Sequence, residues 1–299
     1  LIGENKLYLT ALKINNMTKN YILSTFAAIA LVFVVSCDNT TEDPPNQNKN
    51  TTSGSTITGP RILSKVNNGT KDLEEYVTNG GALSQVFVRD AASSNTLTST
   101  VTYSGTTISQ IKIQDNVTPH VTDNTYALTY TSGKLSSFTM DQTIMGLANH
   151  SDFTVYYDAN GTLYRIVEKK KMAGSTSYTH YTELKFTFST NNIVKADYTT
   201  MLMSGGTPTA STASTTSYLY ENYDAKINPY TTLPKEYLMV SSTMTQMNSY
   251  LLSSNNVGKV TIQNPAGAAI SYPKGYLYDS QNYPVSDQSQ TIKYIYKPL

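Results

Sequence analysis

Residues 153–170 read FTVYYDANGTLYRIVEKK, two alternating runs around a short turn. Phe153, Val155 and Tyr157 share one face of the first run, and Leu163, Arg165 and Val167 share one face of the second. Successive strand side chains point to opposite faces, so period-two alternation on both sides of a glycine-containing loop specifies a β-hairpin. Looser copies are VTYSGTTISQIKIQD from Val101, YALTYTSGKLSSFTMD from Tyr126, YTELKFTFSTNNIVKADY from Tyr181 and GYLYDSQNYPVSD from Gly275. Their anchors Tyr103, Tyr130, Tyr157 and Phe188 fall 27, 27 and 31 residues apart, the mark of a hairpin array. Locally joined strands favour a meander over a βαβ design. The expected fold is all-β: one large antiparallel meander of about 12–14 strands, a curved sheet or barrel-like.

One interval breaks the period. In residues 233–252, LPKEYLMVSSTMTQMNSYLL, the residues Tyr237, Val240, Met244, Met247 and Leu251 are spaced 3, 4, 3 and 4 apart, with Pro234 near the start. That spacing predicts one short helix near 234–252, lying against a face or mouth of the sheet, although its Ser and Thr content leaves a strand pair as the alternative. Before the array, RILSKV and ALSQVFV read as strands, with TKDLEEYV as a helical turn between them.

Of 24 tyrosines, 21 lie after residue 100. Tyrosine suits a half-wet strand, because its ring packs while its hydroxyl reaches a partner. Cross-strand packing accounts for most of them. The sharper expectation is a stacking platform for sugars on the strands carrying Tyr130, Tyr157 and Tyr220; the absence of Trp weighs against it. Strand register decides between the two, since a slip of one residue exchanges the faces.

The N-terminal part reads as an address. YILSTFAAIALVFVV, residues 21–35, is long enough for a secretory apolar region and shorter than a spanning helix. Lys19 supplies the basic flank, and VVSC, ending in Cys37, resembles the lipobox of bacterial lipoproteins, whose cysteine is acylated. That accounts for a lone cysteine, which also excludes a disulfide framework and a thiolate cluster. Residues 1–16 are expected to be an upstream or non-native segment, 17–36 a signal peptide, 37–60 the lipidated cysteine with a flexible tether, and 61–299 a single β domain. Asp38, Glu42 and Asp43 form a thin acidic signal after the cysteine, which points to the outer membrane with the leaflet open.

YDANGTLYRI resembles the Tyr-Asp repeat of bacterial surface proteins, through Tyr157, Asp158, Gly161 and Leu163. ENYDAKINPYTTLP, with Tyr223, Asp224, Asn228, Pro229 and Tyr230, is similar to a motif of uncharacterised Bacteroidetes outer-membrane lipoproteins, whose degenerate hairpins precede it. The resemblance covers about residues 97–299 and the lipobox. It implies a porin-like antiparallel β fold and supplies no catalytic residues. This chain departs from the pattern in lacking Asp after most of the turn-preceding tyrosines.

Charged residues make up 14% of the chain, against about 25% in ordinary soluble domains, and the net charge is +1, so no footprint for nucleic acid is present. His120, His150 and His180 sit 30 residues apart, but equivalent places in consecutive hairpins are two strands, about 9–10 Å, apart. A shared zinc needs its nitrogens at about 2.0–2.1 Å from one point, so no metal and no cofactor are expected, and the histidines mark strand entrances near one rim. Carboxylates are mostly singletons, and nucleophile-elbow, zincin, Walker and EF-hand motifs are missing. The EKKKM run, Glu168–Met172, reads as a solvated edge or hairpin tip. Ser, Thr, Lys and Glu on both strand faces argue against a barrel that spans the membrane. The reading is a non-catalytic, lipid-anchored envelope protein that presents a Tyr-rich sheet for binding or scaffolding. The alternatives are a carrier of a lipid or other apolar ligand in a β cavity, and a glycan-binding module. Expected partners are the membrane through the anchor, and a glycan, apolar ligand or envelope protein.

Overall fold

A computed structural model describes residues 59–299, Met145 apart; Cys37, the expected signal peptide and nearly all of the tether lie outside the described residues. Eighteen strands form one antiparallel sheet. The count exceeds the expected 12–14 for two reasons. Several C-terminal strands are very short, and the segment before residue 96 supplies β1 (Arg61–Asn67), β2 (Asp72–Asn79) and β3 (Ala82–Arg89). TKDLEEYV is therefore mostly strand β2, not a helical turn. Its Tyr76 pairs with Val86 across a two-residue turn, Gly80–Gly81, in which both residues have positive φ, the geometry that fits strand twist.

The array continues through β4 (Thr96–Ser104), β5 (Thr107–Asp115), β6 (Asp123–Thr131), β7 (Lys134–Ile144), β8 (Leu147–Tyr157) and β9 (Leu163–Lys171). Then follow β10 (His180–Ser189), β11 (Asn192–Ser204), the two-residue β12 (Thr207–Pro208) and β13 (Ser214–Glu221). After the helical interval come β14 (Lys259–Gln263), β15 (Ile270–Pro273), β16 (Tyr276–Tyr278), β17 (Pro284–Asp287) and β18 (Lys293–Pro298). Helix α1 spans Lys235–Met244, and a 3-10 helix follows at Gln246–Leu252, where the 3-4 spacing placed helical structure. Tyr237 and Val240 are buried, and Met244, Met247 and Leu251 pack against the same core.

First and last strands are neighbours, with β1 paired to β18 from Arg61↔Pro298 to Asn67↔Lys293. The ladder ends at β15 and β16, which do not pair with each other but are joined along the chain by Lys274 and Gly275. Lys274 N–H donates to Gly258 O at 2.8 Å on the β14 side, and Gly275 O accepts from Gln288 N–H at 2.9 Å on the β17 side. The sheet thus curls almost fully round without closing into a ring of paired strands.

Repeated bulges supply curvature. In six hairpins the return strand carries one extra residue near the turn: Ser84, Ser109, Ser136, Tyr164, Val194 and Val285. A bulge bends the strand and raises its local twist, so repeating it at one end of successive hairpins curves the sheet in one sense. Three of the extra residues are serines, whose hydroxyls donate across the bulge to Val77 O, Thr102 O and Thr129 O at 3.1, 3.2 and 3.1 Å.

The inner face carries the core, including Tyr126, Phe138 and Phe153, the last two stacked at 4.3 Å. The outer face carries hydroxyls and ion pairs such as Lys65–Asp72, Arg89–Glu75, Lys195–Asp197 and Lys259–Glu221. A lipid-facing barrel wears its apolar band outside; this sheet wears it inside.

Candidate functional site

The site grows out of the Tyr-Asp motif. In the β8–β9 hairpin the Asp158 carboxylate accepts from the backbone N–H of Asn160 and Thr162, at 2.9 and 2.8 Å, and Gly161 takes φ +78°. Asp279 repeats this between β16 and β17, accepting from Gln281 and Tyr283 N–H at 2.9 and 3.0 Å, with Asn282 at φ +67°. An aspartate after the tyrosine therefore organises a longer loop. Hairpins without it use two-residue turns such as Ser132–Gly133, which explains the departure seen in sequence.

After Tyr223-Asp224 the hairpin loop expands. Glu221 pairs directly with Lys259, and all of residues 222–258 lie between these partners. This segment fills the inner face of the sheet. Thr232 Oγ1 accepts from Leu63 N–H of β1 at 2.9 Å, and Ser253 Oγ from Ile193 N–H of β11 at 3.0 Å. Tyr220 of β13 donates to the carbonyls of Gln246 and Met247 at 3.1 and 3.0 Å. Asn228, 2% exposed, closes the segment on itself: its Nδ2 donates to Ser253 O at 2.8 Å and Leu251 O at 3.2 Å, and its Oδ1 accepts from Tyr230 N–H at 3.1 Å. Asp224 accepts from Asn256 N–H at 3.1 Å and from the Tyr278 hydroxyl, tying the entry of the segment to its exit.

Where this plug meets β2, β16 and β18 there is a polar chamber. Glu74 accepts from the hydroxyls of Tyr76 and Tyr230 at 2.7 and 2.9 Å, and those rings meet edge to face at 6.4 Å. Lys274 enters from the β15–β16 junction, its Nζ 5.1 Å from the Tyr250 ring centre. Burial pushes the Glu74 carboxyl up and the Lys274 ammonium down to about 8, and the Glu74 charge offsets part of the latter. The phenols of Tyr76, Tyr230, Tyr276 and Tyr294 are pushed well above the usual range, first by burial. Lysines with lowered pKa serve as bases and nucleophiles elsewhere. The space bounded by Tyr230, Tyr250, Lys274, Tyr276 and Tyr294 measures about 10 Å³, no more than a water, and the hydrogen bonds of Glu74 pin the plug to β2. A carrier of apolar ligands needs a pocket of about 300–1,000 Å³, far more than this space.

No family model and no curated protein matches this chain. The fold is similar to a porin-like protein from Bacteroides vulgatus. That match has 13% identity and a TM-score of 0.48, over 80% of this chain and all of the other. A second porin-like protein, from Bacteroides uniformis, matches at 12% identity and a TM-score of 0.38, over 75% of this chain and 88% of the other. At such values the function has to come from this chain's own residues.

Tyr130, Tyr157 and Tyr220, the expected platform, are not brought together as an exposed surface. Tyr130 and Tyr157 stand in a half-buried inner row with Tyr103, and burial first, then Glu236 of α1, raises their phenols, that of Tyr130 to about 12. Their hydroxyls donate to Ile108 O and Leu135 O, at 2.9 and 3.0 Å. Tyr220 is 1% exposed beneath the 3-10 helix. His120 lies in the β5–β6 loop, and His150 and His180 pair with Lys171 and Lys170, on one rim as the spacing implied. They do not converge, and no metal-binding group of side chains occurs among the described residues. The EKKKM run is not an edge, because β9 is paired by both β8 and β10. Sequence reading missed Glu74 and Lys274. The first was legible only through the register that turns it inward beside Tyr76, and the second through a strand junction that alternation does not reveal.

Proposed function

We propose that this chain is a non-catalytic, lipid-anchored cell-envelope protein whose outer sheet surface is its working part. The observation that carries this reading is the plug: the chain's own residues 222–258 pack on the inner face of the sheet, and the space they leave beside Lys274 and Tyr294 holds about one water. Acylated Cys37 would hold the protein to the outer membrane, and residues 38–60 would give reach, about 25–30 Å if coil-like. The polar outer face, with its ion pairs, favours a body held beside the bilayer over one inserted in it.

The test is metabolic labelling with a palmitate analogue and fractionation of the native envelope. The wild-type chain is expected to carry label and sediment with outer membranes, and Cys37→Ser to lose the label and appear in the soluble fraction. Label retained by Cys37→Ser would overturn the anchor. Native mass spectrometry of the membrane-purified protein addresses the container alternative, which a co-purifying apolar molecule would restore.

A further inference from the structure

While most of the tyrosines point inward, four gather on the outer side of β8, β9 and β10. Tyr156 alternates with inward Tyr157, and Tyr164 is the extra residue of the β9 bulge. Tyr181 lies outward on β10, and Tyr178 stands in the loop that precedes that strand. They are joined by charge. The Arg165 guanidinium stacks 4.0 Å from the Tyr156 ring centre and 5.8 Å from that of Tyr164, and the two rings are 6.3 Å apart at 54°. Arg165 Nη1 donates to Glu183 at 3.4 Å, and the Tyr181 hydroxyl donates to the same carboxylate oxygen at 3.1 Å. At the far end Tyr178 donates to Asp152, and Lys171 lies 5.1 Å from the Tyr178 ring. Along β9 from Arg165 to Lys171 the stripe runs about 20 Å, across three strands or about 10 Å.

This composition selects a ligand class. Aromatic rings offer flat apolar faces, while guanidinium and carboxylate groups at their edges offer donors and acceptors to hydroxyl groups. Four cations (Arg165, Lys169, Lys171 and Lys185) are interspersed with two carboxylates (Asp152 and Glu183), so the stripe is of mixed sign rather than the single sign that a polyanion needs. The exposed large aliphatic residues, among them Leu202, Ile270, Leu277 and Ile295, lie outside it, so it lacks the apolar centre of a protein interface. Arg165 Nε is also buried with no acceptor where the guanidinium lies against the two rings.

We propose that the outer face of β8–β10 binds an uncharged oligosaccharide, its sugar rings stacked on Tyr156 and Tyr164 and its hydroxyls held by Arg165, Glu183 and Asp152. The proposal rests on the reading that the outer surface is the working part, and is independent of the anchor, so palmitate labelling and sugar binding can fail separately. The experiment is affinity electrophoresis of the full-length protein in detergent, through gels containing a β-glucan, a galactomannan or a starch. Calorimetry with oligosaccharides cut from the retarding polymer follows. Retardation by at least one polymer is expected. Tyr156→Thr and Tyr164→Thr, which keep a strand-forming residue at each position, should weaken binding about tenfold or more. Tyr130→Phe, on the inner face, should leave it unchanged. No retardation by any of the polymers overturns the proposal. So does retardation that survives both Thr substitutions in protein with a wild-type circular dichroism spectrum, or retention by polygalacturonate alone.

Discussion

The repeated tyrosine is a hydrogen-bonding residue as much as a packing one. Tyr130 and Tyr157 each send the phenol back to the carbonyl of an apolar residue that starts the previous return strand, Ile108 and Leu135. Tyr223 does the same to Ile193 O at 2.6 Å and also meets Ser253 Oγ at 3.0 Å. The anchor between them is Phe188, which has no hydroxyl to offer. Tyr157→Phe should therefore cost about 1 kcal/mol and Tyr223→Phe about 2 kcal/mol, since the latter strips two partners in a more buried place. Urea midpoints at constant m-value measure both; equal, negligible shifts would mean that the rings alone matter. The anchors were legible in sequence as period and residue type. That their hydroxyls step from hairpin to hairpin was not, because the partners are backbone atoms set by register.

Elements divide by the same logic. Two-residue turns and α1 could be read locally, from glycine placement and the 3-4 spacing of Tyr237, Val240, Met244, Met247 and Leu251. Strand β2 was misread because Leu73, Glu74, Glu75 and Tyr76 lack alternation: a bulge against β1, between Val66 and Asn67, places Leu73 in the core beside inward Glu74. The plug was half legible. Its helix showed, but its origin as an expanded hairpin loop did not, since the Glu221↔Lys259 pairing spans the whole segment. Asn228 is the residue on which that loop depends, because one side chain satisfies several buried backbone groups. Asn228→Ala should lower stability by about 3 kcal/mol or more, through unsatisfied carbonyls and the Tyr230 N–H. It should also expose the 246–256 stretch to protease before the sheet unfolds. Simultaneous cleavage of sheet and plug, with wild-type stability, would remove Asn228 from this role.

For the whole molecule, the curl of the sheet joins residues more than 200 positions apart, as in the β1–β18 ladder and the Arg61–Asp279 ion pair, and no local pattern encodes that. What sequence did show, a surplus of tyrosine, becomes a property of the whole interior once the sheet wraps its plug. The phenols of Tyr76, Tyr126, Tyr220, Tyr230, Tyr237, Tyr250, Tyr276 and Tyr294 are all raised, with burial the largest cause. A folded pKa above the unfolded value of about 10 gives stability that is complete below pH ~10 and lost as pH rises beyond it, because only the unfolded chain then releases those protons. Lys274 has the opposite sign. Its folded value is depressed to about 8, so its contribution is present above the unfolded lysine value, about 10.4, and is lost as pH falls towards 8. From pH 8 to about 10 the midpoint of thermal unfolding should hold or rise slightly, then fall steeply as each tyrosine adds about 1.4 kcal/mol per pH unit. Thermal melts from pH 7 to 11, followed by circular dichroism together with tyrosinate absorbance, test this directly. Lys274→Met should remove the shallow rise, keep the alkaline collapse and lower the midpoint at neutral pH, because Glu74 then sits buried without its counter-charge. A midpoint that stays flat beyond pH 10.5 would mean that the tyrosines ionise in place, and that the sheet is not sealed around its plug.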